Sequence, residues 1–480
     1  MNAADTIVLL PLILVGATAG LILLAIAFCR NHQLVLTLTL AGLFASLVSL
    51  LVAAHYAPHA VTPLLVVDRY AIFYTGLILA ASFAVTLLAF GYLERQEGKP
   101  EEFYLLLVLA TLGSAVLVSS NHFASFFLGL EILSVSLYPL IAYQWRNPLG
   151  IEAGVKYLVL AGVSSAFLLF GMALVYADLG TLLLPEIAAR VAKVANPGGM
   201  LLTGFGLIIV GIGFKLALVP FHLWTPDVYQ GAPVPVTAFI ATVSKVAMFA
   251  LLLRYFTQIN FQQNRALVVI FAVMAVASMF AGNLLPLLQS NVKRLLAYSS
   301  IAHLGYLLVA FLASGPLATT AVAYYLVAYF VTTLGAFGIV TALSGKNEEA
   351  DTLEVYEGLA WRRPWVAALF TAMLLSLAGI PLTAGFVGKF YVLAAGAGSG
   401  LWWLLAIMVV TSAIGLFYYL RVVLVMYRFG MPQADVSLIK PSLSLAGSLA
   451  LAALSLLLVW LGVYPSPLIR IIQAAVAGAV

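Results

Sequence analysis

Apolar runs of about twenty residues recur along almost the whole chain, separated by short polar breaks. A helix that crosses a bilayer needs about 20 apolar residues, so each run predicts one membrane span. The runs fall at 7–29, 34–55, 69–92, 103–119, 122–143, 150–177, 199–219, 234–256, 266–287, 294–313, 317–344, 364–396 with a break, 401–429 and 442–463, about fourteen spans. Between the sixth and seventh, Thr181–Ala195 alternates Leu, Ile and Val with Glu186, Arg190 and Lys193. That alternation predicts a short amphipathic helix on the membrane surface. The first run lacks a basic leader and a small-residue cleavage site followed by soluble sequence, and reads as a retained helix. The pattern defines an all-α polytopic membrane protein.

Composition removes several function classes. Charged residues make up 8% of the chain, against roughly 25% in a soluble domain, so lipid rather than water is its main solvent. The one cysteine, Cys29, can form neither an iron–sulfur cluster nor an internal disulfide. Neither a G-x-G-x-x-G after a strand nor a G-x-x-x-x-G-K-[ST] occurs, so dinucleotide and ATP sites are unsupported. No cofactor, metal or nucleic acid is expected on this chain, and any redox chemistry belongs to another one.

Charge placement sets the orientation. With the N-terminus outside, Arg30, Arg95, Lys99, Arg146, Lys293, Arg294, Lys346, Arg362, Arg363, Arg421, Arg428 and Lys440 face the cytoplasm. Arg69, Arg190, Lys193, Arg254, Arg265 and Arg470 face out. This excess obeys the positive-inside rule and puts both termini on the outer, periplasmic side. The longest polar loop, Gly345–Pro364, then faces the cytoplasm as a solvated connector or as a docking surface for a neighbouring subunit.

The remaining charges lie inside spans, where a central Lys or Asp costs about 2.5–3.5 kcal/mol. Glu131 lies in the fifth span, Lys156 in the sixth, Lys215 in the seventh, Lys245 in the eighth and Lys389 in the twelfth. One interhelical salt bridge would serve as glue, and a lysine near a helix end can snorkel, as Lys156 could. Five such groups are more than glue requires. Desolvated groups whose neighbours can change charge are able to switch protonation, as a proton relay needs. His303, mid-span, and His222, just past the seventh span, can titrate near neutral pH, or serve only as hydrogen-bonded histidines. Ser134, Ser136, Tyr138, Tyr324, Tyr325 and Tyr329 could extend a polar path or simply pack helices.

Two spans are interrupted, at LALVPFHLWTPDVYQGAPVPVTAF and at LAGIPLTAGFVGKFYV, each beside a buried lysine. Broken backbone at membrane depth must be buried in protein or line a hydrated cavity. Lys215 and Lys389 are separated by 174 residues (389 − 215), and Glu131 and His303 by 172 (303 − 131). Lys245 plus the same offset falls on Tyr419. These recurrences predict two inverted five-helix repeats. The expected organisation is an N-terminal three-helix segment (1–102), a first repeat (103–256), a second, inverted repeat (257–430) and a C-terminal helix (431–480).

These landmarks resemble the antiporter-like membrane subunits of respiratory complex I, NADH-quinone oxidoreductase, which are related to subunits of multisubunit cation/proton antiporters. FKLALVPFHLWTPDVYQGAPVPVTAFIATVSKVA (Phe214–Ala247), LGLEILSVSLYPL and NVKRLLAYSSIAHLGYLL carry the resemblance. GIPLTAGFVGKFYVL and Lys389 are most similar to the subunit N branch, and the short segment after Tyr464 leaves no room for the lateral helix of the L branch. The resemblance implies a proton-translocating subunit of a translocase in a bacterial inner membrane. Glu131 and Lys215 would be a coupled ion pair, Lys245 the central relay and Lys389 the outer gate. Lys156 matches the sixth-helix lysine, and His222 and His303 lie in matching motifs. FMN, iron–sulfur clusters and quinone would belong to partner subunits, with other antiporter-like and small membrane subunits as neighbours. A subunit of a cation/proton antiporter, another redox-driven pump and an assembly scaffold are the alternatives.

Overall fold

The computed structural model describes residues 3–96, 98–194, 197–345, 349–429 and 444–476. Lys346 and Lys440, expected on the cytoplasmic side, and the first two residues of the 442–463 run lie outside the described residues. A helical hairpin, α1 (Ala3–Phe28) and α2 (His32–Ala53), opens the chain; the Asn31 side chain caps α2 by accepting from the Leu34 amide at 3.1 Å. A two-stranded antiparallel hairpin follows, β1 (His59–Val61) and β2 (Leu65–Val67), with Ala60 opposite Val66. Then come α3 (Arg69–Leu93), α4 (Glu101–Val118), α5 (Phe123–Ile141), α6 (Pro148–Leu179) and the short amphipathic α7 (Leu184–Val191), which buries Leu184 and Ile187.

The two sequence interruptions are real breaks. The first separates α8 (Gly199–Leu216) from α9 (Trp224–Gly231), with Ala217 in a left-handed conformation at φ 60°. The chain then turns into α10 (Val234–Phe239), a π-helical turn (Ile240–Ser244) and α11 (Lys245–Gln258), one continuous rod. Next are α12 (Arg265–Leu284), α13 (Val292–Leu312) and α14 (Pro316–Leu343), then α15 (Leu359–Arg362). The second break separates α16 (Pro364–Ala378) from α17 (Ala384–Gly398), and α18 (Trp402–Tyr427) and α19 (Leu445–Val463) follow. A last helix, α20 (Ser466–Val476), buries Ile472, Ala475 and Val476; the hydropathy reading ended its elements at 463 and did not anticipate it. Among the described residues, thirteen helices are long and apolar enough to cross a membrane, and α16 with α17 supplies one further, broken crossing.

Burial identifies the centre. The most apolar windows of Val234–Gln258 and Pro316–Leu343 are wholly buried, whereas those of α1 and α19 are 33% and 28% buried. The rod α10–α11 and helix α14 therefore form the axis, with α13 against them, and the N- and C-terminal helices lie at the rim. Cross-links tie the loops at each end. At one end, Asn121 donates from its backbone to Leu64 and the Gln262 amide to the Ala313 carbonyl. At the other, rich in arginine, Arg30 pairs with Glu102, Arg421 donates to the Gln289 carbonyl and Asn291 donates to Asp351.

Three placements correct the sequence reading. Lys293, counted among the cytoplasmic loop charges, is buried and ion-paired with Glu349. Arg254, counted outside, is buried against Asp68 at 2.7 Å and lies 4.8 Å from the centre of the Tyr70 ring. The described part of Gly345–Pro364 is no simple solvated connector, because Ala350, Tyr356 and Leu359 are buried. In each case a place near or beyond a span end suggested solvent, and a partner distant in sequence supplied the missing counter-charge or cover.

Candidate functional site

Lys215, Lys245, Lys389 and His303 are 3%, 1%, 8% and 4% exposed, so all four must find polar partners within the protein. Lys215 stands in the last turn of α8, just before the break. Its Nζ donates to Ser134 Oγ on α5 and to Tyr157 OH on α6, both at 2.9 Å. Helices α6 and α8 pack closely further along as well, where a Cβ on Gly204 would lie 3.0 Å from the Gly171 carbonyl oxygen. Lys245 follows the π-helical turn, which locally widens the helix and re-aims its side chains. Its Nζ donates to Ser300 Oγ on α13, which also accepts from Tyr329 OH of α14 at 2.7 Å.

Lys389 lies on α17 but reaches back across the break. Its Nζ donates to the Ala378 carbonyl, at the end of α16, at 2.8 Å and to Ser412 Oγ at 2.7 Å. The breaks start at Ala217 and Gly379, 162 residues apart (379 − 217), not the 174 that separate the lysines. The two lysines therefore come from opposite halves of their broken helices. Both ammonium groups nonetheless lie at the C-terminal end of a half-helix, where unpaired carbonyls and the helix dipole favour a cation. Each of the three lysines also lies over a tyrosine ring: Lys215 over Tyr157 at 5.4 Å, Lys245 over Tyr229 at 5.6 Å and Lys389 over Tyr306 at 5.2 Å.

Helix α13 joins Lys245 to Lys389. Ser300, His303 and Tyr306 are spaced i, i+3, i+6 on one face, spanning about 9 Å at the ordinary helical rise. Ser300 holds Lys245 and the Tyr306 ring faces Lys389, with His303 between them. His303 Nδ1 bonds Tyr325 OH at 2.6 Å, and Nε2 is 3.3 Å from Tyr419 OH, which in turn bonds Ser299. Asn283 donates to Tyr306 OH at 2.9 Å. Among the described residues no hydrogen bond links Lys215 to Lys245. Tyr229 of α9 lies at Lys245, and its buried hydroxyl and that of Thr225 on the same helix meet no acceptor or donor at ordinary hydrogen-bond geometry among the described residues, so they are suited to hold water.

Other expected residues fall elsewhere. The Glu131–Lys215 ion pair does not form among the described residues. Glu131 Oε1 accepts instead from Ser165 Oγ at 2.5 Å, and Ser134, one turn along α5, takes the lysine. Lys156 is not in the buried row; its Nζ contacts Glu152 at 2.6 Å and Asp227 at 2.8 Å, with Arg294 on the other Asp227 oxygen at 2.7 Å. His222 lies in the first break with Nδ1 unpartnered, away from the α13 row. Of the polar extensions, Ser134 bonds Lys215, Tyr325 bonds His303 and Tyr329 bonds Ser300. Ser136 bonds its own helix at Ile132, Tyr324 bonds the Leu461 carbonyl, and Tyr138 stacks its ring edge on Tyr157 without joining the hydrogen bonds. Sequence reading missed Tyr157, Ser300, Tyr306 and Ser412; for Ser300 and Tyr306 the spacing from His303 on a predicted helix was an available signal.

Such a row of buried cations and hydroxyls threading two broken helices defines the antiporter-like class of ion-translocating membrane proteins. The chain belongs to the NADH:quinone oxidoreductase/Mrp antiporter transmembrane family, which matches residues 120–415. It is 52% identical over 466 residues to NADH-quinone oxidoreductase subunit N of Methylococcus capsulatus, covering 96% of this chain and 93% of that relative. Among solved structures it is similar to a chain of respiratory complex I from Thermus thermophilus, with TM-score 0.82, 34% identity and coverage of 97% and 99%. A chain of an archaeal membrane-bound sulfane sulfur reductase gives TM-score 0.84, 25% identity and coverage of 99% and 97%. A chain of the Mrp complex from a Dietzia species gives TM-score 0.86 at 21% identity, covering 100% and 98%, a likeness of fold.

Proposed function

We propose that this chain is the subunit N-type, proton-translocating membrane subunit of a bacterial NADH-quinone oxidoreductase. The observation that carries the reading is the α13 face on which Ser300, His303 and Tyr306 connect Lys245 to Lys389. Protons pass from Lys245 along that face to Lys389, which releases them to the outer side, and Lys215 couples to Lys245 through water at Tyr229. Glu131 acts on Lys215 through the α5–α6 contact rather than by a direct bond, and Lys156 positions α9 through Asp227. Residues 103–256 and 257–430 are read as inverted copies that each carry one broken helix. The arginine-rich end faces the cytoplasm and both termini the periplasm. Electrons travel through FMN, iron–sulfur clusters and quinone held by partner subunits, and neighbouring antiporter-like subunits flank this one.

The test is twofold. Native gels of mildly solubilised membranes should show this chain migrating with NADH dehydrogenase activity. Lys245→Met should leave the complex assembled and abolish its proton uptake; full uptake in assembled Lys245→Met enzyme would refute the pathway. A second reading, a subunit of a cation/proton antiporter, draws on the family's dual membership. Sodium-dependent transport without NADH would favour it.

A further inference from the structure

Outside the lysine row, one buried ion pair is built into a polar chain that reaches the protein surface. Lys293, on the first turn of α13, has a side chain 0% exposed; its Nζ donates to Glu349 and, at 2.7 Å, to the Ala232 carbonyl between α9 and α10. One Glu349 oxygen accepts from Tyr92 OH at 2.6 Å and from the Val234 amide at 3.1 Å. Tyr92 OH accepts from Gln144 Nε2 at 2.6 Å. Tyr92, Gln144 and Pro233 line a cavity of about 360 Å³, shared with Gln96, Lys99 and Tyr143. Its rim carries Trp145, 65% exposed, so the cavity opens at the surface. On the buried side, Ala232 lies three residues after Tyr229, whose ring faces the Lys245 ammonium.

We propose that this cavity is a water-filled vestibule and that Tyr92, Glu349 and Lys293 form the proton intake to Lys245 from the arginine-rich end. The proposal rests on the pathway reading above. A vestibule water gives a proton to the Tyr92 oxygen as Tyr92 passes its own to Glu349. With Glu349 neutral, the Lys293 ammonium has lost its counter-charge; it releases one proton inward past Tyr229 to an unprotonated Lys245 and recovers one from Glu349. One proton has then moved from the vestibule to Lys245, and Tyr92, Glu349 and Lys293 return to their starting charges. A structural pair would need only neutrality and fit. An intake needs a titratable carboxylate linked to water, and the bond from Tyr92 supplies that link.

The test uses the assembled complex in inverted membrane vesicles and reads NADH-driven proton uptake per quinone reduced. Glu349→Gln should lower uptake about tenfold or more, a modest loss for removal of one proton-transferring group, and Glu349→Asp should restore much of it. The double variant Glu349→Gln with Lys293→Gln strands no buried charge, so it should assemble yet pump as poorly as Glu349→Gln. Tyr92→Phe, which removes only the hydroxyl, should also lower uptake. Wild-type uptake in the double variant would overturn the intake and leave the pair as a structural contact. Should neither Glu349 variant assemble, Tyr92→Phe decides, with wild-type uptake overturning the proposal. Lys245→Met in parallel separates the two readings: loss there with full uptake in the double variant sinks the intake alone, whereas full uptake in Lys245→Met sinks the whole pathway.

Discussion

Replacing Gly379 by alanine should uncouple Lys389 from the helix end it binds. Gly379 caps α16 at φ 86°, and a Cβ there would lie 2.7 Å from Lys389 Cδ and 3.2 Å from its Nζ. The left-handed conformation costs an L-residue about 1–2 kcal/mol. The lysine can swing away from the new methyl, but doing so takes its ammonium off the Ala378 carbonyl, a bond of 2.8 Å. A hydrogen bond to a charged group contributes about 1.5–3 kcal/mol. At about 1.4 kcal/mol per decade, loss of that contact alone corresponds to about a ten- to hundredfold fall in proton transfer through Lys389. Gly400→Ala is the control: φ is 71°, but no atom lies within 4 Å of the added Cβ, so the backbone strain recurs without the lysine. The assay is NADH-driven proton uptake by vesicles, normalised to complex assembled on native gels. Gly400→Ala should assemble and pump normally, and Gly379→Ala should assemble and pump poorly. Uptake within about twofold of wild type in assembled Gly379→Ala enzyme would show that the Lys389–Ala378 contact plays no part in transfer, given the tenfold minimum expected.

Ser134→Ala and Tyr157→Phe each remove one of the two bonds to Lys215. Each should reduce proton uptake severalfold, and the pair together should approach Lys215→Met, as read by the same vesicle assay. Asp227→Asn removes the carboxylate charge, and one of its two acceptor oxygens, from Lys156 and Arg294, whose side chains are 43% and 24% exposed. Screened by solvent, such pairs contribute about 0.5–1 kcal/mol, so the variant should lower the thermal midpoint slightly while uptake persists; abolished uptake would return Lys156 to the relay. His122 caps α5, Nδ1 accepting from the Ala124 amide at 3.0 Å, and burial holds its pKa below the usual histidine value. A neutral ring is the capping form, so its contribution is complete above about pH 6.5 and is lost as pH falls through the lowered folded-state value. Thermal unfolding of purified complex between pH 7 and 5 should show this loss, and His122→Asn should flatten it.

The sequence by itself determined the number of spans, both breaks, the short helix α7 and three of the buried lysines, Lys215, Lys245 and Lys389. Long apolar runs, clustered prolines and intramembrane charges are local signals, and a bilayer makes each of them costly to misplace. It could not determine which face of any span meets which neighbour. Lipid tails are as apolar as a protein core, so the helices carry no apolar stripe to mark an inner side. The rim helix α1 has the higher mean hydropathy, 2.7 against 2.1 for the rod carrying Lys245, yet the rod is wholly buried and α1 is 33% buried, so hydropathy does not mark the centre. Partner choice was therefore left to the tertiary structure. It gave Lys215 to Ser134 and Tyr157 rather than Glu131, and it drew Lys156 out to Asp227. It also brought Lys293 and Arg254 inside, against Glu349 and Asp68. A buried charge must be paired, but the chain can supply its partner from any distance in sequence, and only the fold sets which one comes within reach.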